Sequence, residues 1–274
     1  MSIIINNNPA SIAAQRNLTV NTNLLQRSVE HLSSGLRITR ASDDAAGLGV
    51  SETLRAQIRS INQATRNAND GISLTQVADG AAATIGNILA RLRELSSQSA
   101  SGTVGVSARS FLDQEFGALR SEIDRIATVS EFNGTNLLSG ASNSFSVFVG
   151  YKSGAGNSIT ATLNSLDLTS IGLATVDIST ANNAQSALGN IDSAISAVAT
   201  ARAGYGSIQN RFDAAIANLQ VTSENFTAAE SRIRDADVAY ETSQFTKNQV
   251  LVQAGIAVLA QANALPQQAL ALLR

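Results

Sequence analysis

Cysteine is absent from the 274-residue chain, which excludes disulfides, thiolate catalysis and Cys-based zinc sites. Histidine occurs once, as His31, so no His-rich metal site can form. The ordinary reading of such a residue is a satisfied or solvated surface histidine. Tryptophan is also absent, and aromatics make up only 4% of a chain that is 44% hydrophobic. The apolar content is therefore mostly Ala, Leu, Ile and Val, which suits long helices better than a thick globular core. Lysine occurs only at Lys152 and Lys247, and the net charge is −2, so no basic surface is available for nucleic acid. The opening stretch, MSIIINNNPASIAAQR, has no positive charge before Arg16 and lacks the basic start, apolar run and cleavage site of a secretory signal. If the chain leaves the cell, the expectation is a route that does not read such a signal.

What the chain does have is period. Leu18, Leu25 and Leu32 are seven apart, with Val29 and Leu36 at the complementary spacing, an a/d seam interrupted by Gln15 and Thr22. It stops near "ITRASDDAAG", where Ser42, Asp43 and Asp44 offer capping side chains for a new helix. A second seam runs through Leu54, Ile58, Ile61, Thr65, Ala68 and Ile72, and a bend is expected where it crosses Asp70-Gly71. A third follows Gly80 with Ile85, Ile88, Leu92 and Leu95, and a fourth carries Leu112, Phe116, Leu119, Ile123 and Ile126. "EFNGTNLLSG" then reads as turns, because Asn-Gly tolerates positive φ.

Period two takes over next. Phe145, Val147 and Val149 alternate, as do Ile159, Ala161 and Leu163, around the turn-rich "KSGAGN". This is a β-hairpin signal. The chain to about Thr180 reads as irregular. The longest seam follows, from Leu188 through Ile191, Ile195, Val198, Tyr205, Phe212, Ile216 and Leu219 to Phe226. At 1.5 Å per residue it makes about 58 Å of helix, which needs other long helices beside it.

The tail is nearly chargeless: from Asn248 to Leu273 there is no charged residue. Val238, Phe245, Val252, Leu259 and Leu273 share one seven-residue spoke, with Pro266 at the missing step and Ile256 in the partner position. A membrane span, a core helix and a helix kept for a partner all suit so apolar a run. The amides of Gln249, Gln253, Gln261, Asn263, Gln267 and Gln268, with Pro266, argue against a span. The pattern as a whole predicts a mainly α fold: a long antiparallel helical bundle of coiled-coil character with a small β-hairpin segment.

The motifs also carry a resemblance. "HLSSGLRITRASDDAAGLGVSETLRAQIRSINQATRNANDGISLTQVADG" (31–80) resembles the N-terminal region of bacterial flagellin, as does "NNNPASIAAQRNL" before it. "ESRIRDADVAYETSQFTKNQVLVQAGIAVLAQANALPQQALALLR" (230–274) resembles the flagellin C-terminus almost residue for residue. "LRELSSQS" and "SEIDRIATVSEFNG" are similar to the family in between. The resemblance implies a minimal flagellin. Residues 1–42 would be the N-terminal half of the inner helical domain, called D0, and 236–274 its C-terminal half. Residues 43–180, with the hairpin at about 145–163, and the helix 181–235 would form the surrounding domain, D1.

The implied function is a structural subunit that polymerises into the flagellar filament used for swimming. The alternatives are a hook–filament junction protein and, on the uncharged tail alone, a membrane-active protein. The implied partners are further copies of the chain, the type III export apparatus, an export chaperone, and the cap and hook-associated proteins. No catalytic role, cofactor, metal, nucleic acid or membrane insertion is expected, and the site of action is extracellular. The expected subunit interface is the two terminal seams: Leu18, Leu25, Val29, Leu32 and Leu36, with Val238, Phe245, Val252, Ile256 and Leu259. Arg91, Leu95 and Glu115 match family positions contacted by an animal innate immune receptor; packing or subunit contact would equally account for them. Asp43, Asp44, Asp70, Asp235 and Asp237 read as helix caps or surface partners of Arg37, Arg40 and Arg234 rather than as a carboxylate site.

Overall fold

The computed structural model describes residues 7–140 and 143–272, the side chains of 155 and 265–272 excepted. Leu273 of the seven-residue spoke lies outside them, as do the side chains of Pro266, Gln267 and Gln268. The fold is mainly α. Five helices are described: α1 (Pro9–Ser34), α2 (Ala45–Ala100), α3 (Val106–Val129), α4 (Ala181–Arg234) and α5 (Val238–Leu272). Between α3 and α4 lie two small antiparallel pairs, β1 (Glu131–Phe132) with β2 (Thr135–Asn136), and β3 (Asn143–Phe148) with β4 (Ser158–Leu163). The chain divides into two compact units, Met1–Ala56 with Asn225–Arg274, and Gln57–Glu224.

In the first unit, α1 begins under local rules. Pro9 takes the first turn, and the side chain of Asn8 accepts from the Ser11 N–H at 3.1 Å. It ends at Gly35, whose φ of 70° is the left-handed cap and whose N–H reaches His31 O at 2.9 Å. Of the three candidate caps for α2, Asp44 is the one used, accepting from Gly47 N at 2.8 Å. Asp237 likewise caps α5, accepting from Ala239 N and Tyr240 N. The segments entering α2 and α5 are tied by the antiparallel bridge Leu36↔Asp235 and by Arg37 N to Arg234 O at 2.7 Å. Asn8 meets Ala262, Leu18 meets Gly255, and Ser28 meets Asn248, so α1 and α5 pack antiparallel.

The second unit holds the main core. From α2 it takes Leu74, Ala78, Ala82, Ile85, Leu89, Leu92 and Leu95, spaced three and four apart. Phe116, Ile123 and Ala127 of α3 pack into it, as do Ile191, Ala194, Val198 and Tyr205 of α4. Ile88, on the predicted seam, sits at the core's edge while Leu89 takes the interior position. The stretch read as irregular is buried too: Leu166, Ile171, Leu173, Val176 and Ile178 all line this core. Arg120 holds that loop by donating to the carbonyls of Leu173 and Val176.

The helix α2 is not broken at Asp70-Gly71; it runs continuously through Gly71 and Gly80. Gly71 is where α2 admits the ring of Phe212, since a Cβ there would lie 2.6 Å from its Cζ. Phe212 belongs to a smaller core with Ala68, Ile208, Ile159 and Ala161. The last two come from β4, whose partner register runs Asn143↔Leu163 to Phe148↔Ser158. Asn133 and Gly134 adopt φ of 50° and 74° in the tight turn between β1 and β2.

Candidate assembly surface

The residues predicted as interface seams divide into two sets on the α1·α5 pair. Leu18, Leu25, Leu32, Leu36, Phe245, Val252 and Leu259 are half-buried within the single chain. Val29, Val238 and Ile256 face outward, at 48%, 62% and 55% exposure. They are joined on the surface by Ile12, Val20, Leu24, Val250, Leu251 and Val258. Covering a fully exposed aliphatic side chain of this size is worth about 1.5–3 kcal/mol, so several half-exposed ones together are a substantial unspent driving force.

Close packing of the pair is local chemistry. Gly255 brings α5 against α1: a Cβ there would stand 3.3 Å from Leu18 Cδ1. One polar pair interrupts the seam, Ser28 and Asn248, both buried and 3.4 Å apart. At the far end Asn8 donates to Ala262 O at 2.8 Å, and Ser11 to the Asn263 side chain at 2.7 Å. Gln249, Gln253 and Gln261 of α5 are exposed as well.

Charge collects where α1 ends and α5 begins. His31 is not a solvated surface residue: its side chain is 11% exposed. Its Nδ1 faces Glu241 Oε1 at 3.5 Å and its Nε2 faces Asp43 Oδ2 at 3.9 Å. Nε2 is buried and has no hydrogen-bond partner. Asp43 accepts from Thr39 N, Thr39 Oγ1 and Arg40 N at 3.2, 3.0 and 3.0 Å. Desolvation alone would raise its pKa, but those hydrogen bonds and the neighbouring His31 outweigh it and hold the carboxyl below its usual range. The arginines expected beside the aspartates bind elsewhere. Arg40 pairs with Glu30 at 2.6 Å, Arg234 with Glu52 at 2.7 Å, and Arg37 donates to Ile233 O at 2.6 Å. The acids at 43 and 241 could not have been matched to His31 from sequence, because no local spacing links them.

In the other unit, Arg91 and Glu115 meet on the surface, with Arg91 Nη2 2.8 Å from Glu115 Oε1 and Nη1 2.9 Å from Glu94 Oε2. Hydrogen bonds to those carboxylates raise the Arg91 pKa. Leu95 lies inside the core at 0% exposure. Among the described residues there is no cluster of His, Asp or Glu able to hold a metal, and no helix long and apolar enough to cross a membrane.

Long paired helices with many exposed aliphatic side chains define a structural protein of the packing kind. Residues 5–143 match the model of the bacterial flagellin N-terminal helical region, and residues 188–273 that of the C-terminal helical region. The chain is 47% identical over 274 residues to a flagellin of Halalkalibacterium halodurans, covering 99% of this chain and 100% of that one. It is 42% identical over 287 residues to the flagellar filament 33 kDa core protein of Treponema phagedenis, covering 99% and 100%. In fold alone it is similar to a Vibrio parahaemolyticus structure described as a flagellar hook-associated protein, at TM-score 0.59 and 15% identity, over 70% of this chain and 100% of that one. The chain belongs to the bacterial flagellin family. It is a structural subunit of the flagellar filament, a polymer of flagellin subunits outside the cell.

Proposed function

We propose that the α1·α5 pair is the surface through which copies of this chain pack in the filament. The supporting observation is the set of outward aliphatics on the pair, Val29, Val238 and Ile256 among them, together with the charge-free run of α5 from Asn248 onward. A carboxylate placed on such a face costs several kcal/mol once a neighbour covers it. In this reading 1–42 and 236–274 form the inner domain, and 43–235 the surrounding one. The chain acts without catalysis or cofactor. It leaves the cell through the flagellar export apparatus with a chaperone's help, and adds beneath the cap beyond the hook-associated proteins. Arg91 and Glu115 form an exposed pair that an innate receptor could contact directly on the monomer; buried Leu95 would act only by shaping α2 beneath them.

The test is Ile256→Asp, at an outward position of α5. Sedimentation and electron microscopy should find no filaments, while melting of the unit 57–224, which does not contain α5, stays unchanged. Normal assembly by the variant would remove the α1·α5 face as the packing surface.

A further inference from the structure

The single histidine sits where the fold presents a carboxylate to each ring nitrogen: Glu241 from α5 at Nδ1, Asp43 from the α1–α2 loop at Nε2. A neutral imidazole has one N–H donor and one lone-pair acceptor. In either tautomer, one of the two carboxylates therefore faces a lone pair. Only the doubly protonated ring offers a donor to both. Nε2 is buried and lacks a hydrogen-bond partner, so exposed solvent does not relieve the mismatch. Asp43 cannot turn away without giving up its bonds from Thr39 and Arg40. The other nearby charges are committed or lie to one side. Glu30 and Arg40 bind each other, and with Arg27 and Asp43 they line a polar cleft of about 270 Å³.

We infer that His31, Asp43 and Glu241 form a proton-operated latch that closes the junction of α1, the α1–α2 loop and α5. The place suits the role. The Leu36↔Asp235 bridge lies at the same junction, and the buried Ser28–Asn248 pair one turn back along α1. With a proton on both nitrogens, the ring ties three segments of the first unit together. Without it, two carboxylates and a neutral ring share a nearly closed space, and the start of α5 loosens. This rests on the proposal that the α1·α5 pair packs in the filament. Closing the junction takes up a proton, so assembly that requires it closed would weaken as pH rises across the range in which imidazoles ordinarily change charge, about pH 5 to 8. Carboxylates ordinarily titrate near pH 4, well outside that window. The chain has no other histidine and no cysteine, so the linkage is assignable to one side chain, apart from an α-amino group shared by every variant.

The test measures the critical concentration for polymerisation of the full chain at constant ionic strength, from about pH 5.5 to 8. For wild type it should rise with pH, by up to about tenfold per unit where one proton is taken up per subunit. His31→Gln should be flat apart from the α-amino contribution. His31→Arg, charged throughout, should be equally flat but at a lower concentration, and Glu241→Gln should flatten the wild-type rise. Histidine-selective ¹⁵N labelling reads the same ring without mutation, and should find both nitrogens protonated in filaments at about pH 6. A wild-type pH dependence equal to that of His31→Gln, or a neutral tautomer in that spectrum, would overturn the latch. If wild type forms no polymer at any pH, the filament reading fails. The ring's protonation state in the soluble chain then decides the latch by itself.

Discussion

Replacing Gly71 by alanine sets two effects of known size against each other. In an exposed helix interior, Gly→Ala is stabilising by about 1 kcal/mol, because glycine carries the larger entropy loss on folding. At Gly71 the new methyl would stand 2.6, 2.9 and 3.0 Å from the Cζ, Cε2 and Cε1 atoms of Phe212. That ring is fully buried, packed with Ala68, Ile208 and strand β4, and has no solvent to retreat into. Overpacking of this kind costs about 1–3 kcal/mol, so the net result is a loss of up to about 2 kcal/mol. Gly80, in the same helix, has nothing within 4 Å of its built Cβ and supplies the control. Urea denaturation of soluble chain, followed by circular dichroism, should show Gly80→Ala gaining about 1 kcal/mol and Gly71→Ala losing stability. In thermal unfolding of a unit of this size, each kcal/mol moves Tm by about 2–4 °C. Adding Phe212→Leu should make the pair of changes less harmful than their sum, because the ring tip that clashes is gone. Gly71→Ala as stabilising as Gly80→Ala, or strict additivity with Phe212→Leu, would refute the close-approach argument.

Leu92→Ala, deep in the main core, should cost about 2–5 kcal/mol in the same urea assay, since it removes buried methyl groups and leaves a cavity. Tyr205 should titrate above the ordinary tyrosine range in an alkaline absorbance titration. Burial, helped by the Asp79 charge, pushes its pKa up to about 12. The neutral phenol therefore stabilises the fold fully below about pH 10, and that contribution disappears as pH rises through about 12. Asp177 works in the opposite direction. Hydrogen bonds from Ser179 and Asn183 lower its pKa, so the loop entering α4 should be firmest above the ordinary carboxylate range and loosen as pH falls through it. Hydrogen exchange of the amides at 177–184, compared between wild type and Asp177→Asn, reads this directly.

Sequence alone determined the local architecture. Three- and four-residue spacings marked every described helix, because a helix must bury one stripe. Period two marked β3 and β4, because strand side chains alternate. Asn133-Gly134 declared its turn through the one conformation such a pair accepts cheaply. The chargeless tail and its amides were equally plain in the residues themselves. Tertiary structure decided whatever rests on partners distant in the chain. It carried α2 unbroken through Gly71 and Gly80, because burial of the helix's core stripe outweighs about 1 kcal/mol of propensity at each. It buried Leu166, Ile171, Leu173, Val176 and Ile178, which follow no regular period because a loop's inward residues are chosen by the surface beneath it. It sent Arg40 and Arg234 to glutamates rather than the expected aspartates, and placed His31 between two acids. Periodicity records which side of an element is covered; only the path of the chain in space decides what covers it.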